Sequence, residues 1–128
     1  MDYYFKKTFE GDFTQSIEKV KQALKTEGFG VLTEIDIKKT MKEKLDADFN
    51  NYIILGACNP PFAYEALKAE NKIGTMLPCN VIVQEIENGK IEVAAVNPKA
   101  SMQAVKNESL ASIASEITTK LQNALNQL

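Results

Sequence analysis

Residues 81–96 read VIVQEIENGKIEVAAV, and this stretch decides the fold. Its two apolar runs are joined by Asn88 and Gly89, a pair strongly favoured in two-residue hairpin turns, where both central residues need positive φ. Ile91 and Val93 then alternate with polar residues, as expected of a returning antiparallel strand. The sequence therefore predicts an antiparallel sheet built around this hairpin.

Three further strands are predicted from the segments 3–9, 29–37 and 52–58. The first mixes aromatic residues and lysines, and the third is a short apolar run typical of a buried strand. In 29–37 the alternation predicts one apolar face, on which Val31, Thr33 and Ile35 lie together.

Helices are predicted between these strands wherever apolar residues recur at helical spacing. Asp12, Asp36, Asn59 and Asn107 each stand immediately before such a pattern, and their side chains are expected to cap the helix that follows. The first helix spans 13–27 and ends at a glycine, which is the residue preferred in the left-handed position after a helix.

The last helix carries one continuous apolar stripe, formed by Leu110, Ile113, Ile117, Leu121, Leu125 and Leu128. A stripe of this length has to be covered by another apolar surface, and the predicted sheet supplies one. The fold class is therefore α+β, with helices lying on an antiparallel sheet.

Composition places residues 1–128 in a single globular domain, since no linker, repeat or low-complexity tract interrupts them. Apolar residues make up 45% of the chain and charged residues 25%, values ordinary for a folded domain. The net charge of -2 gives no basic face for phosphates, so no nucleic-acid partner is expected. The chain has no histidine, which excludes imidazole catalysis and imidazole-based zinc sites.

The start of the sequence lacks the basic-then-apolar order of a signal peptide, and no apolar run has the length of a membrane span. We therefore expect a cytoplasmic protein with no membrane partner. In that compartment Cys58 and Cys79 are expected to be reduced thiols.

Two short segments hold the residues with the most chemical potential. Cys58 and Asn59 lie between a strand and a helix, and Cys79 and Asn80 lie at the start of a strand. If the two strands are neighbours, these four side chains can form one ligand-binding site. Apolar packing of the cysteines is the competing interpretation, because cysteine is often a buried filler.

The same two segments are also compatible with a reactive thiol or with a metal site. A thiol just before a helix N-terminus experiences the positive end of the helix dipole, which favours the thiolate. Cys58 and Cys79 are the only candidate metal ligands, and their separation of 21 residues is not a zinc motif. Two chains could supply four thiolates, although nothing in the spacing requires it.

The sequence resembles the bacterial and archaeal domain-of-unknown-function family 302. The resemblance rests on residues 13–24, on 27–36 with its Gly-Phe-Gly-Val element, on 54–60 ending in Cys-Asn-Pro, on 77–81 with Leu-Pro-Cys, and on Ile73-Gly74 and Asn97-Pro98. It implies an antiparallel sheet wrapped around a long C-terminal helix, similar to half of a TATA-box-binding protein. It also implies a homodimer, and it carries no established activity, so the question of an enzyme stays open.

Three functional hypotheses follow. The first is a homodimer that binds a small molecule or metal near Cys58, Asn59, Cys79 and Asn80. The second is a thiol-redox protein in which Cys58 attacks and Cys79 resolves. The third is a structural dimerisation module in which both segments only pack. The cofactor is unknown in each case.

Overall fold

The computed structural model describes residues 1–128. Five strands alternate with helices along the chain, in the order β1 Tyr4–Glu10, α1 Phe13–Thr26, β2 Gly30–Asp36, α2 Ile37–Leu45, β3 Tyr52–Cys58, α3 Pro60–Ala69, a 3₁₀ helix Asn71–Met76, β4 Cys79–Glu87, β5 Lys90–Val96, α4 Pro98–Ser101 and α5 Ser109–Asn126. The 3₁₀ helix and α4 were not predicted from the sequence, because neither contains enough turns for an apolar period to be visible.

The strands form one sheet in the order β1-β5-β4-β3-β2, and every neighbouring pair is antiparallel. The predicted hairpin is present, with Gly89 at a φ of 78° in the turn between β4 and β5. The prediction of an α+β fold with an antiparallel sheet is therefore confirmed.

Three of the four predicted caps form as expected. The Asp12 and Asp36 side chains accept hydrogen bonds from the backbone of Gln15 and Lys39, three residues into α1 and α2. The Asn107 side chain accepts one from Ser109 at the start of α5. These bonds satisfy amides that have no partner inside their own helix.

One face of the sheet is covered by α1 and α5. Register rows across the strands place Phe5, Ala95, Val81 and Leu55 on this face. Leu121 of α5 is fully buried in the same cluster. The C-terminal helix lies across the sheet, as the sequence predicts, and shares that position with α1.

The main helix contacts of the central strands β4 and β5 are with α1 and α5, while α2 contacts β2 and β3 at one edge of the sheet. The register aligns Lys6, Ala94, Ile82, Ile54 and Ile35 in one row across all five strands. We call this surface the open face. Its central row is mainly apolar, with Ile35 exposed, Ile54 and Ile82 half-buried and Ala94 buried.

A β-bulge in β2 interrupts the strict alternation that the sequence predicts for 29–37. Val31 pairs with Ala57, whereas Thr33 pairs with Gly56, so Leu32 is an extra residue in the strand. Because a bulge shifts the alternation by one position, Val31 and Thr33 point to opposite faces of the sheet. The predicted common face of Val31, Thr33 and Ile35 is therefore wrong.

Gly56 of β3 is required by close packing. A Cβ at this position would lie 2.8 Å from Cγ of Pro78 and would also overlap the Thr33 hydroxyl. Distances this short are strongly repulsive, and the ring of Pro78 cannot rotate away as a flexible side chain can.

We expect Gly56→Ala to lower the free energy of unfolding by about 1–3 kcal/mol, the usual cost of overpacking. Urea denaturation followed by circular dichroism measures this change. Gly30→Ala is the matched control, since Gly30 is also a strand glycine but has no atom within 4 Å of its Cβ position. Equal stability of the two variants would contradict the packing argument.

Candidate ligand-binding site

A cavity of about 250 Å³ lies where the end of β3 and the start of β4 meet the helices α3 and α5. Fourteen of its sixteen lining residues are hydrophobic. Phe62 and Ala66 of α3 face Ile113 and Ile117 of α5 across it. Leu77, which precedes β4, belongs to the lining as well.

Three of the four predicted site residues line this cavity, namely Cys58, Asn59 and Cys79. They meet because β3 and β4 are neighbours, with Ala57 paired to Cys79. Asn80 is separated from them. Asn80 follows Cys79 in β4 and pairs with Gly56. Because successive side chains of a strand alternate between the two faces, the Asn80 side chain lies on the open face.

Burial dominates the chemistry of Cys79. Its side chain is among the buried core residues, and this burial raises the pKa of the Cys79 thiol to about 11, with a smaller contribution from the nearby Cys58. Cys79 is thus a neutral thiol at physiological pH. Cys58 is half-buried, and both cysteines are free.

The register does not pair the two thiols directly. Cys58 follows Ala57, the residue that pairs with Cys79, so the two cysteines are diagonal neighbours at the end of the sheet. A disulfide requires Cβ atoms about 3.8 Å apart with convergent directions. The pairing of β3 with β4 does not provide that arrangement.

Asn59 does not cap α3, contrary to the sequence-based expectation. Its side chain makes no capping hydrogen bond, and its Nδ2 instead donates to the Glu27 carbonyl at 3.1 Å. The amide lies against Gly28, whose φ of 88° ends the turn after α1. Asn59 therefore ties the start of α3 to the end of α1.

The N-terminus of α3 has few donors for an anion. Pro60 and Pro61 occupy its first two positions and have no backbone N–H, so Phe62 carries the first helical amide. A helix N-terminus binds anions through several such amides together with its dipole. The attraction between the N-terminus of α3 and a negative charge, which the sequence suggested, is therefore reduced.

The chain contains no cluster of three or more histidine, cysteine, aspartate or glutamate side chains placed to hold a metal ion. Cys58 and Cys79 are the thiols at the cavity, and the thioether of Met102 also belongs to the lining. Within one chain the lining offers two thiols, one thioether and the Asn59 amide, a sulfur-rich set that suits soft ions such as Cu(I) better than Mg²⁺ or Ca²⁺.

Several lining residues were not identified from the sequence. Leu32 reaches the cavity because of the bulge in β2, and 67% of this side chain is exposed. Met102 follows the short helix α4, which had no sequence signal. Ile113 and Ile117 were predicted to be apolar contacts of the last helix, but only the position of α3 makes them cavity walls.

Comparison with known proteins supports the resemblance seen in the sequence. A family model described as "Domain of unknown function DUF302" matches residues 5–128. A solved crystal structure of an uncharacterized conserved DUF302 protein from Bacillus stearothermophilus has a TM-score of 0.89 and 28% sequence identity, over 98% of this chain and 97% of the other. No curated protein matches the chain.

The fold and cavity define an α+β domain in which two helices cover one face of an antiparallel sheet. The chain belongs to the DUF302 family. The family's function is unknown, so the match establishes the family and supports the fold but indicates no activity. None of the helices combines the length and the apolar character that crossing a membrane requires.

The raised pKa of Cys79 predicts an alkaline loss of stability. The neutral thiol is favoured in the folded state, so this contribution is complete below the unfolded pKa and is lost as pH rises toward the folded value of about 11. Starting from an unfolded thiol pKa near 9, the loss by pH 11 is about 2 kcal/mol.

Urea denaturation of the wild type and of Cys79→Ala across this pH range measures that loss. The difference between the two proteins is expected to shrink as pH rises, because alanine has no proton to lose. Cys58→Ala retains Cys79 and is the control expected to follow the wild type. A constant difference at all pH values would contradict the burial of an uncharged thiol.

Proposed function

We propose that this protein is a homodimeric domain that binds a small molecule in the cavity beside Cys58, Asn59 and Cys79. The proposal rests mainly on the cavity, because about 250 Å³ of space is surrounded almost entirely by apolar side chains. Known ligand sites are concave and mostly apolar, with few polar groups that fix orientation. Asn59 is the polar side chain of this kind here.

The hydrophobic effect supplies the driving force for binding. Apolar walls that contact water gain roughly 25 cal/mol for each Å² that a ligand covers. The cavity is bordered by exposed apolar side chains, among them Leu32 and Leu67, which are 67% and 42% exposed. A bound molecule covers these walls without requiring any charge to be desolvated.

The open face supports the dimer in this proposal. The family resemblance implies homodimers, and a mainly apolar row of Ala94, Ile82, Ile54 and Ile35 lies on that face, exposed at Ile35 and half-buried at Ile82 and Ile54. A second copy placed there would complete a sandwich with helices outside and two sheets inside. Sheets pack in this way at a spacing of about 10 Å.

A thiol-redox function is less well supported. It requires Cys58 and Cys79 to form a disulfide, whereas the two residues are not directly paired across β3 and β4 and burial keeps Cys79 protonated. A protonated thiol is a poor nucleophile. A purely structural role requires the cavity to stay empty, and a measurement of bound mass decides between that role and ligand binding.

Native mass spectrometry of gently purified, untagged protein tests the proposal. We expect a dimer of the 14.2 kDa chain with additional bound mass that denaturation releases. Ala63→Phe places a ring in the cavity from a half-buried position on α3 and is expected to remove the extra mass. Ser112→Phe is the control, since Ser112 is exposed on α5 away from the cavity.

Two results would contradict ligand binding. One is a dimer that carries no additional mass and whose stability no added apolar compound changes. The other is extra mass that persists unchanged in Ala63→Phe. A protein that loses two hydrogens per chain under mild peroxide would instead favour the thiol-redox function.

Substitution on the open face tests the dimer separately. Ile82→Lys puts a charge at the centre of the apolar row and is expected to convert the dimer into a folded monomer, because burying an unpaired charge is costly. Light scattering coupled to size-exclusion chromatography reads the mass. Tyr64→Lys, at an exposed aromatic residue on α3, is the control expected to remain dimeric. A dimeric Ile82→Lys would exclude this face.

A further inference from the structure

We infer that the ligand of this cavity is an uncharged, mainly apolar molecule of about ten non-hydrogen atoms that carries one hydrogen-bond donor. The inference rests on the proposed function and specifies its ligand class. It follows from the size of the cavity, the absence of charge in its lining and the hydrogen bonds of Asn59.

The volume sets the size of the ligand. A dry apolar cavity of about 150 Å³ in a protein core accepts benzene, with its six carbons. In proportion, a cavity of about 250 Å³ accepts about ten non-hydrogen atoms. Two fused aromatic rings or a medium-length branched alkyl chain has this size.

The lining sets the charge of the ligand. None of the sixteen residues around the cavity is Asp, Glu, Lys or Arg. An ionised group placed among them would lose its hydration without gaining a partner, which costs several kcal/mol. The prolines at the start of α3 also remove two of the amides that otherwise compensate an anion.

One cation lies beside the lining without belonging to it. The Lys120 ammonium is 5.9 Å from the centre of the Phe62 ring, in a cation–π arrangement. A ligand with a carboxylate at the cavity entrance would have to draw Lys120 away from that ring. Lys120 is thus the residue through which an anionic ligand would be recognised, and the test must include it.

Asn59 sets the position of the polar group. Only 7% of this residue is exposed, and its Nδ2 is occupied by the Glu27 carbonyl. Its Oδ1 accepts no hydrogen bond from the first turn of α3, and because Asn59 belongs to the lining we assign this oxygen as the acceptor for a ligand. An acceptor requires a donor, such as an alcohol, a phenol or an indole N–H.

Isothermal titration of the full-length wild-type protein with four compounds that share the naphthalene ring system tests the inference. The compounds are 2-naphthol, naphthalene, 2-naphthoate and 2-naphthylmethylammonium. We expect 2-naphthol to bind best, with naphthalene about 5-fold weaker for want of the hydrogen bond and both ions at least about 100-fold weaker. Ala63→Phe is expected to abolish binding of 2-naphthol, whereas Ser112→Phe is not.

The outcomes separate the ligand class from the site. If 2-naphthoate binds as well as 2-naphthol, and Lys120→Met removes that binding, the site exists but the uncharged class is wrong. Equal affinities for 2-naphthol and naphthalene would show that the ligand needs no hydrogen-bond donor, which contradicts that part of the inference. If no compound binds to the wild type and native mass spectra show no bound mass that Ala63→Phe removes, the proposed function fails together with the inference. If no compound binds but Ala63→Phe removes a bound mass, only the ligand class is wrong.

Discussion

The pairing of β4 with β5 is the constraint on which the rest of the structure depends. Because side chains alternate along a strand, one register decides at once which residues face α1 and α5 and which face outward. Val81 and Val83 enter the core by this rule, and Ile82 is left on the open face. A slip of one residue would exchange these two sets and turn Gln84 toward the helices in place of Val83.

The cavity is a consequence of how α3 is attached. Asn59 holds the beginning of the helix against the carbonyl of Glu27, and Pro60 and Pro61 supply the fixed φ that a first helical turn requires. The helix therefore starts in a defined position at the end of β3, and the cavity lies where α3 and α5 face each other. The space between them is filled by neither set of side chains.

Strong local signals made most of the fold predictable from the sequence. The Asn88-Gly89 turn and the periodic apolar positions of α1 and α5 act over a few residues, and all three elements appear as expected. The meeting of Cys58 with Cys79 also followed once their strands were taken as neighbours. The bulge at Leu32 was beyond prediction, because an added residue is visible only against its partner strand.

The candidate site was less predictable than the fold, since its walls come from segments distant in the chain. Asn59 resembled a helix cap, and only the turn at Gly28 gave its amide a different partner. Asn80 stood next to Cys79 in the sequence but is on the other side of the sheet. Consecutive residues of a strand point to opposite faces of the sheet, whereas residues that follow each other in a loop can lie on the same side.

The contact between Pro78 and Gly56 joins two surfaces. Pro78 lines the cavity and also lies over Gly56, whose missing side chain would occupy the open face. A change of position at Pro78 is therefore felt on both sides of the sheet. By thermodynamic linkage, a ligand that alters self-association by some factor must itself bind more tightly or weakly by that same factor in the associated form. Pro78 contacts both surfaces and is therefore a residue through which such reciprocity can act.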